Sequence, residues 1–298
     1  MEQGRRRTLR IATAASVLLP LAGCGGVLDP KGPIGSANLQ ILYGSLAIML
    51  AIVVPTLIGA VVIAWWFRAS NPKARYLPNF VFSGQIEMIV WSIPIMVIIL
   101  LGGVIWIGAH QLDPYQPLAS SAKPTEVQVV SLDWKWLFIY PEQGIASVNE
   151  AVVPAGKPVH FSLTSASVMN AFFVPQLGSM IYTMNGMQTQ LYLQADKPGD
   201  YDGRSTMFSG DGFAGMNFTL RAVSDSDFAN WVNSTKQNGP SLDRAGYETL
   251  ERQSENVRPF TYREIDPALF HAIIMQLVPP GPGPSDGSAP AVRSTSEK

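Results

Sequence analysis

One cysteine, Cys24, and three histidines, His110, His160 and His271, are all the thiol and imidazole in this 298-residue chain. Soft and borderline metals are held mainly by those two groups, so a centre that needs two cysteines is excluded, as is an intrachain disulfide. No two of the histidines are neighbours or four residues apart, so the helical spacing of a metal-binding pair is missing as well. Ser205, Ser209 and Asp211 lie close together, but no G-x-S-x-G elbow surrounds either serine, which argues against a hydrolase. Charge is scarce too. Only 14% of the residues are charged, against roughly 25% in an ordinary soluble domain. A net charge of −1 supplies no broad basic surface, which excludes nucleic acid as a partner. With 47% hydrophobic residues, the composition is that of a membrane protein.

What is present begins with a leader. Arg5, Arg6, Arg7 and Arg10 precede an apolar stretch from Ile11 to Leu21, and small residues follow before Cys24. This is the layout of a signal peptide over residues 1–23. The ending Leu21-Ala22-Gly23-Cys24 resembles the bacterial lipobox, which implies that Cys24 becomes the acylated N-terminus and that the only thiol is consumed. A structural cysteine in an uncleaved helix is the alternative, and it fits less well because the apolar run is short for a membrane span.

No charge interrupts the chain from Gly32 to Phe67 or from Met88 to Leu112. Each stretch is long enough to cross ~30 Å of hydrocarbon, so residues 24–112 are read as a lipidated N-terminus and a two-helix hairpin with spans at about 42–67 and 87–110. Pro55 should bend the first span, and Trp91 and Trp106 stand towards the ends of the second as interfacial anchors would. Arg68, Lys73 and Arg75 lie between the spans with no acid before Glu87. Positive loops stay inside, so this loop is expected in the cytoplasm, with Cys24 and everything after about residue 113 in the periplasm of a bacterial inner membrane. Neither span carries the ionisable run of an ion path. By itself the hairpin is an anchor.

From about residue 123 to 223 the hydrophobic period changes to two, with turn residues about every ten positions. A β-sandwich of seven to nine strands is expected. Val127 and Val129 differ in parity from Leu132, Trp134, Trp136 and Phe138, which predicts a bulge near Val130 and Ser131. The same alternation puts Trp134 and Trp136 on one strand face, Asp133 and Lys135 on a solvated face, and His160 towards solvent. Residues 224–277 read as a helical extension, with helices over Asp225 to Lys236, Leu242 to Gln253 and Asp266 to Leu277. From 278 to 298 the Pro, Gly, Ser and Ala content predicts a disordered tail.

Three segments then become specific by their order: Ser131-Leu-Asp-Trp-Lys-Trp136, Ser167-Val-Met-Asn-Ala-Phe172, and Tyr201-Asp-Gly-Arg-Ser-Thr-Met-Phe-Ser-Gly-Asp-Gly-Phe-Ala-Gly-Met216. Following a lipobox and a two-helix hairpin, they resemble subunit II of the haem-copper terminal oxidases over roughly residues 20 to 275. The resemblance implies a cupredoxin-like sandwich. In the cytochrome c oxidases of that family it holds a binuclear copper centre, CuA, on two histidines, two cysteines, a methionine and one backbone carbonyl. In this chain Asn170 and Phe213 occupy the histidine positions, Ser205 and Ser209 the cysteine positions, and Met207 the carbonyl position; only Met216 fits. A mixed-valence copper pair needs bridging thiolates that serine cannot replace, so no metal or other cofactor is expected in this chain, and Met216 is read as a core methionine.

A copper-free subunit II is similar to the quinol oxidase branch, the bo- or ba-type enzymes. That implies a respiratory ubiquinol oxidase in which this chain is a non-redox structural subunit. Haems and a copper ion would reside in subunit I, with ubiquinol as the substrate of the complex. Subunit I, further small membrane subunits and the lipid bilayer would be its partners. Trp134 and Trp136 lie where the copper-bearing relatives place aromatics for electron transfer, a role left without an acceptor here. Glu87 matches a family glutamate implicated in proton entry, and it reads equally as an acid stabilised in the first turn of a helix. Cytochrome c oxidase subunit II and a free-standing lipoprotein with a binding role are the alternatives.

Overall fold

The computed structural model describes residues 25–281, so the leader, Cys24 and the chain beyond Gly281 lie outside the described residues. The described residues divide into two compact units, one of residues 37–113 and one of residues 25–36 and 114–281.

The first unit is built from a pair of helices, α1 (Pro33–Trp66), whose first four residues belong to the second unit, and α2 (Gly84–Gln111), joined by a loop without regular structure. Both are long and apolar enough to cross a membrane. The helix containing the first span begins at Pro33, well before the expected start near 42. Pro55 lies inside α1, where it removes one backbone donor, and nearby the Thr56 hydroxyl donates to the Ile52 carbonyl at 2.7 Å. At the end of α1, Asn71 and Arg68 donate to the exposed carbonyls of Trp66 and Trp65. Gly108 of α2 comes close to Ile41 of α1: a Cβ added there would stand 2.8 Å from the Ile41 side chain.

The second unit holds ten strands between Thr125 and Val223: β1 (Thr125–Leu132), β2 (Lys135–Tyr140), β3 (Ile145–Val148), β4 (Glu150–Pro154), β5 (Val159–Ser165), β6 (Asn170–Phe173), β7 (Ile181–Thr183), β8 (Thr189–Leu193), β9 (Gly199–Ser205) and β10 (Asn217–Val223). The C-terminal segment adds α3 (Asp225–Gln237), β11 (Ser241–Leu242), α4 (Arg244–Leu250), β12 (Phe260–Tyr262), β13 (Glu264–Ile265) and α5 (Leu269–Ile274). Two sheets form the sandwich, one ordered β12-β3-β2-β1-β5-β8 and the other β4-β10-β9-β6-β7. Their inner faces enclose Trp136, Phe138, Phe161, Phe172 and Phe218, with Phe172 stacked on Phe218 at 4.8 Å and edge-on to Trp136 at 5.4 Å.

The outer face of the six-stranded sheet is covered as well. Val130, Leu132, Leu137 and Ile139 pack there against Tyr247, Leu269, Phe270 and Ile273 of the C-terminal segment. This second core corrects several expectations. No bulge interrupts β1, whose register with β2 runs unbroken from Gln128↔Ile139 to Leu132↔Lys135. The parity change instead reflects two buried faces and a turn at Asp133 and Trp134, the latter at φ 66°. Trp134 and Trp136 therefore do not share one strand, although both reach the inner core. Asp133 and Lys135 are not solvated: they are 4% and 1% exposed. His160 is half-buried, stacked on Tyr192 at 4.4 Å and hydrogen-bonded to Glu126 at 2.6 Å.

The segment after Val223 is not purely helical. It donates β12 to the edge of the six-stranded sheet against β3, and it pairs β11 with β13. The expected tail also begins too early, because Val278 is part of the second core and the Gly281 amide donates to the Ala166 carbonyl.

Within the second unit, residues 29–36 are fixed to the sandwich. The Lys31 amide donates to the Gln176 carbonyl, the Gly35 amide to Leu177, and the Asp196 amide to Lys31. Ile34 is buried in this contact. Gly32 is required there, since a Cβ would stand 2.1 Å from the Gln194 carbonyl oxygen.

Candidate functional site

The three sequence segments meet at one end of the sandwich. β6 opens with Asn170, β9 closes with Ser205, and the two strands pair through Phe172↔Ser205. After β9 the chain turns through Gly210, at φ 104°, into a 3-10 helix (Asp211–Gly215) that delivers Phe213 and then Met216. A glycine is needed at 212, because the Trp134 indole lies against it and a Cβ would come within 2.4 Å of the ring. The Trp134 Nε1–H donates to the Ser209 carbonyl at 2.9 Å and fixes the loop.

The six singled-out positions are thus brought together by the fold. Asn170, Ser205, Ser209 and Met216 are buried, and Met207 and Phe213 half-buried. The Ser205 hydroxyl lies 3.2 Å from Asn170 Oδ1 and 3.3 Å from the Met207 carbonyl, so its one proton serves either acceptor. Asn170 Nδ2 donates to the Val168 carbonyl, and the Ser209 hydroxyl points to Met216 Sδ at 4.0 Å. Phe213 packs edge-on against Phe208, which is 74% exposed.

These residues do not fit a binuclear copper centre. Two neutral hydroxyls, an amide and a phenyl ring stand where bridging thiolates and imidazoles are needed, and the thioethers of Met207 and Met216 are the only soft side chains at the six positions. The Ser205 hydroxyl and the Asn170 amide are engaged with one another and with backbone carbonyls, and the Ser209 hydroxyl with the Met216 thioether, the pattern of a self-satisfied polar core. Among the described residues, no three His, Cys, Asp or Glu side chains gather into a metal-binding group.

Beside this cluster lies a buried ionic one that sequence reasoning missed. Lys135 Nζ donates to the Arg252 carbonyl and to Ser254 Oγ, both at 2.7 Å. Asp133 accepts a short hydrogen bond from the Ser167 hydroxyl. Burial lowers the Lys135 ammonium to about 8, opposed by the nearby carboxylates of Asp133 and Glu251. Burial likewise raises Glu251, with help from Glu248 and Asp133 and against Lys135. The alternation of Asp133 and Lys135 with tryptophans mimics an amphipathic strand, so no sequence signal marked the second core beneath them.

In the hairpin, Glu87 occupies the first turn of α2, and its carboxylate accepts from Trp91 Nε1 at 3.0 Å. His110 stands in the last turn and contacts Trp106.

Comparison with known proteins gives a consistent picture. Residues 127–223 match the family described as cytochrome c oxidase subunit II, periplasmic domain, and residues 236–281 match the COX aromatic rich motif. Ubiquinol oxidase subunit 2 of Acetobacter aceti is 46% identical over 271 residues, covering 90% of this chain and 88% of that protein. Cytochrome bo(3) ubiquinol oxidase subunit 2 of Pseudomonas putida is 48% identical, over 86% of this chain and 82% of its own length. Quinol oxidase subunit 2 of Bacillus cereus is 38% identical, over 79% and 82%.

Proposed function

The chain belongs to the subunit II family of the haem-copper oxidases, on its quinol oxidase branch, and from that membership we propose how it serves a respiratory ubiquinol oxidase. It is a structural subunit that carries no redox centre. Electrons pass from ubiquinol to oxygen within subunit I, which holds the haems and the copper ion, and protons are moved outward there. Further small membrane subunits complete the assembly.

The observation that carries this reading is the Asn170, Ser205, Ser209 cluster, where hydrogen bonds replace the ligands of an electron-entry port. A complex without that port has no relay for a water-soluble cytochrome and must draw on a donor dissolved in the membrane. The hairpin braces the membrane core, and the sandwich caps its periplasmic face. The charge distribution supports a cytoplasmic loop at residues 67–83 and a periplasmic sandwich, in a multi-pass chain further anchored by acylation of Cys24. Glu87, at the cytoplasmic start of α2, serves proton entry towards subunit I, with Trp91 orienting its carboxylate.

Purifying the oxidase through this chain and supplying two donors tests the proposal. Ubiquinol should support oxygen consumption and reduced cytochrome c should not; the reverse preference would overturn it.

A further inference from the structure

We propose that the loop between the two membrane helices is a docking surface for anionic phospholipid headgroups. The inference rests on the topology proposed above, which places this loop at the cytoplasmic leaflet. Between Asp29 and Glu87 the chain has no acidic residue, yet the loop concentrates Arg68, Lys73 and Arg75. Among the described residues none of the three is in an ion pair, although the second unit pairs several of its surface cations.

Arg68 is already arranged for an interfacial site. Its guanidinium lies 4.8 Å over the Trp65 ring, Nη1 donates to the Trp65 carbonyl at 3.0 Å, and Nε donates to Ser70 at 3.1 Å. The cation is thereby held at the level of the α1 terminus, where aromatic rings sit among headgroups. Its fork is not exhausted by these two bonds, because a guanidinium has five donors.

The apolar part of the loop points to the same occupant. Tyr76 and Val81 are 86% and 92% exposed, and Phe82 is exposed as well. Apolar and aromatic groups interleaved with cations, at the joined ends of two spans, form an amphipathic surface that enters the boundary between headgroups and acyl chains. Three uncompensated positive charges complement phosphatidylglycerol or cardiolipin and give no preference for a zwitterionic lipid.

The test uses the assembled oxidase in mild detergent. Phosphatidylglycerol or phosphatidylcholine is titrated in, and retained lipid is counted by native mass spectrometry. The wild-type complex should prefer phosphatidylglycerol. Successive neutralisation to R68Q, K73Q and R75Q should weaken that lipid about fivefold per cation removed, leave phosphatidylcholine unchanged, and be reversed in the charge-keeping variant R68K/K73R/R75K. Equal retention of the two lipids by the wild type, or identical retention by wild type and triple variant, overturns the proposal. So does a triple variant that loses another subunit rather than lipid, since the surface would then be a protein contact. Trypsin cleavage after Lys73 and Arg75 in inverted membrane vesicles but not in intact spheroplasts checks the topology separately.

Discussion

Replacing Lys135 by methionine separates the cost of a buried charge from the packing of the stem that carries it. The ammonium of a nearly fully buried lysine titrates at about 8 rather than the ordinary 10.5. Between those values the folded chain binds fewer protons than the unfolded chain, so folding stability rises with pH across that window. The displacement corresponds to an upper bound of about 3 kcal/mol, of which about 2 kcal/mol is recovered between pH 7 and 9.5. For a unit of this size that is a rise in Tm of about 4–8 °C. Tyr140 and Tyr247, both raised by burial, remove stability as pH climbs past the ordinary tyrosine value near 10, so the lysine window lies below their influence. Lys135→Met keeps most of the side-chain volume and leaves the Asp133 to Ser167 bond in place, but strands the Arg252 carbonyl. At pH 7 the relieved charge and the lost hydrogen bond, about 1–3 kcal/mol, nearly cancel. The slope is therefore the diagnostic. Thermal unfolding of the full chain in detergent, followed by near-ultraviolet circular dichroism, should show a wild-type Tm that climbs from pH 7 to 9.5 relative to the variant. Parallel curves would refute the buried-charge account of the contact between the β1–β2 turn and the C-terminal segment.

Phe172→Ala opens a cavity among Trp136, Phe138, Phe161 and Phe218, and should cost about 3–5 kcal/mol in the same melts; a loss below 1 kcal/mol would show that the two sheets are not held by this cluster. Gly32→Ala drives a Cβ against the Gln194 carbonyl and should speed hydrogen exchange at the Lys31, Gly35 and Asp196 amides, with unchanged exchange contradicting the proposed fixation of residues 29–36. Glu87→Gln preserves an acceptor for Trp91 Nε1 while abolishing the titrating group. Quinol-driven turnover should fall about a hundredfold or more, the range for loss of a proton-transfer group, and unchanged turnover would assign Glu87 only to the helix terminus.

The membrane helices and several strands were legible because these elements advertise their character locally: charge-free runs for α1 and α2, alternation for β5 and β10. The site was legible for a different reason. Asn170, Ser205, Ser209 and Met216 are recognisable by their places within ordered segments, and the pairing of Phe172 with Ser205 brings those segments together. What escaped was the second core. In β1 the residues Val129, Val130, Ser131 and Leu132 are all buried, so a strand covered on both faces loses its alternation and imitates a bulge. Lys135 was misplaced for a related reason, since a charge beside tryptophans reads as a surface residue until the loop at Arg252 and Ser254 closes over it. Long-range covering of this kind leaves no local period. The C-terminal strands are two or three residues long, too short for any pattern to emerge.

We propose that hydroxyl, amide and phenyl groups stand where an electron port would place its ligands. Counting copper against haem in the purified oxidase tests it most directly. Only the copper of subunit I should be found, and the ratio should be unchanged when Ser205 and Ser209 are both replaced by alanine. Two further copper atoms per complex, lost in that double variant, would contradict the account.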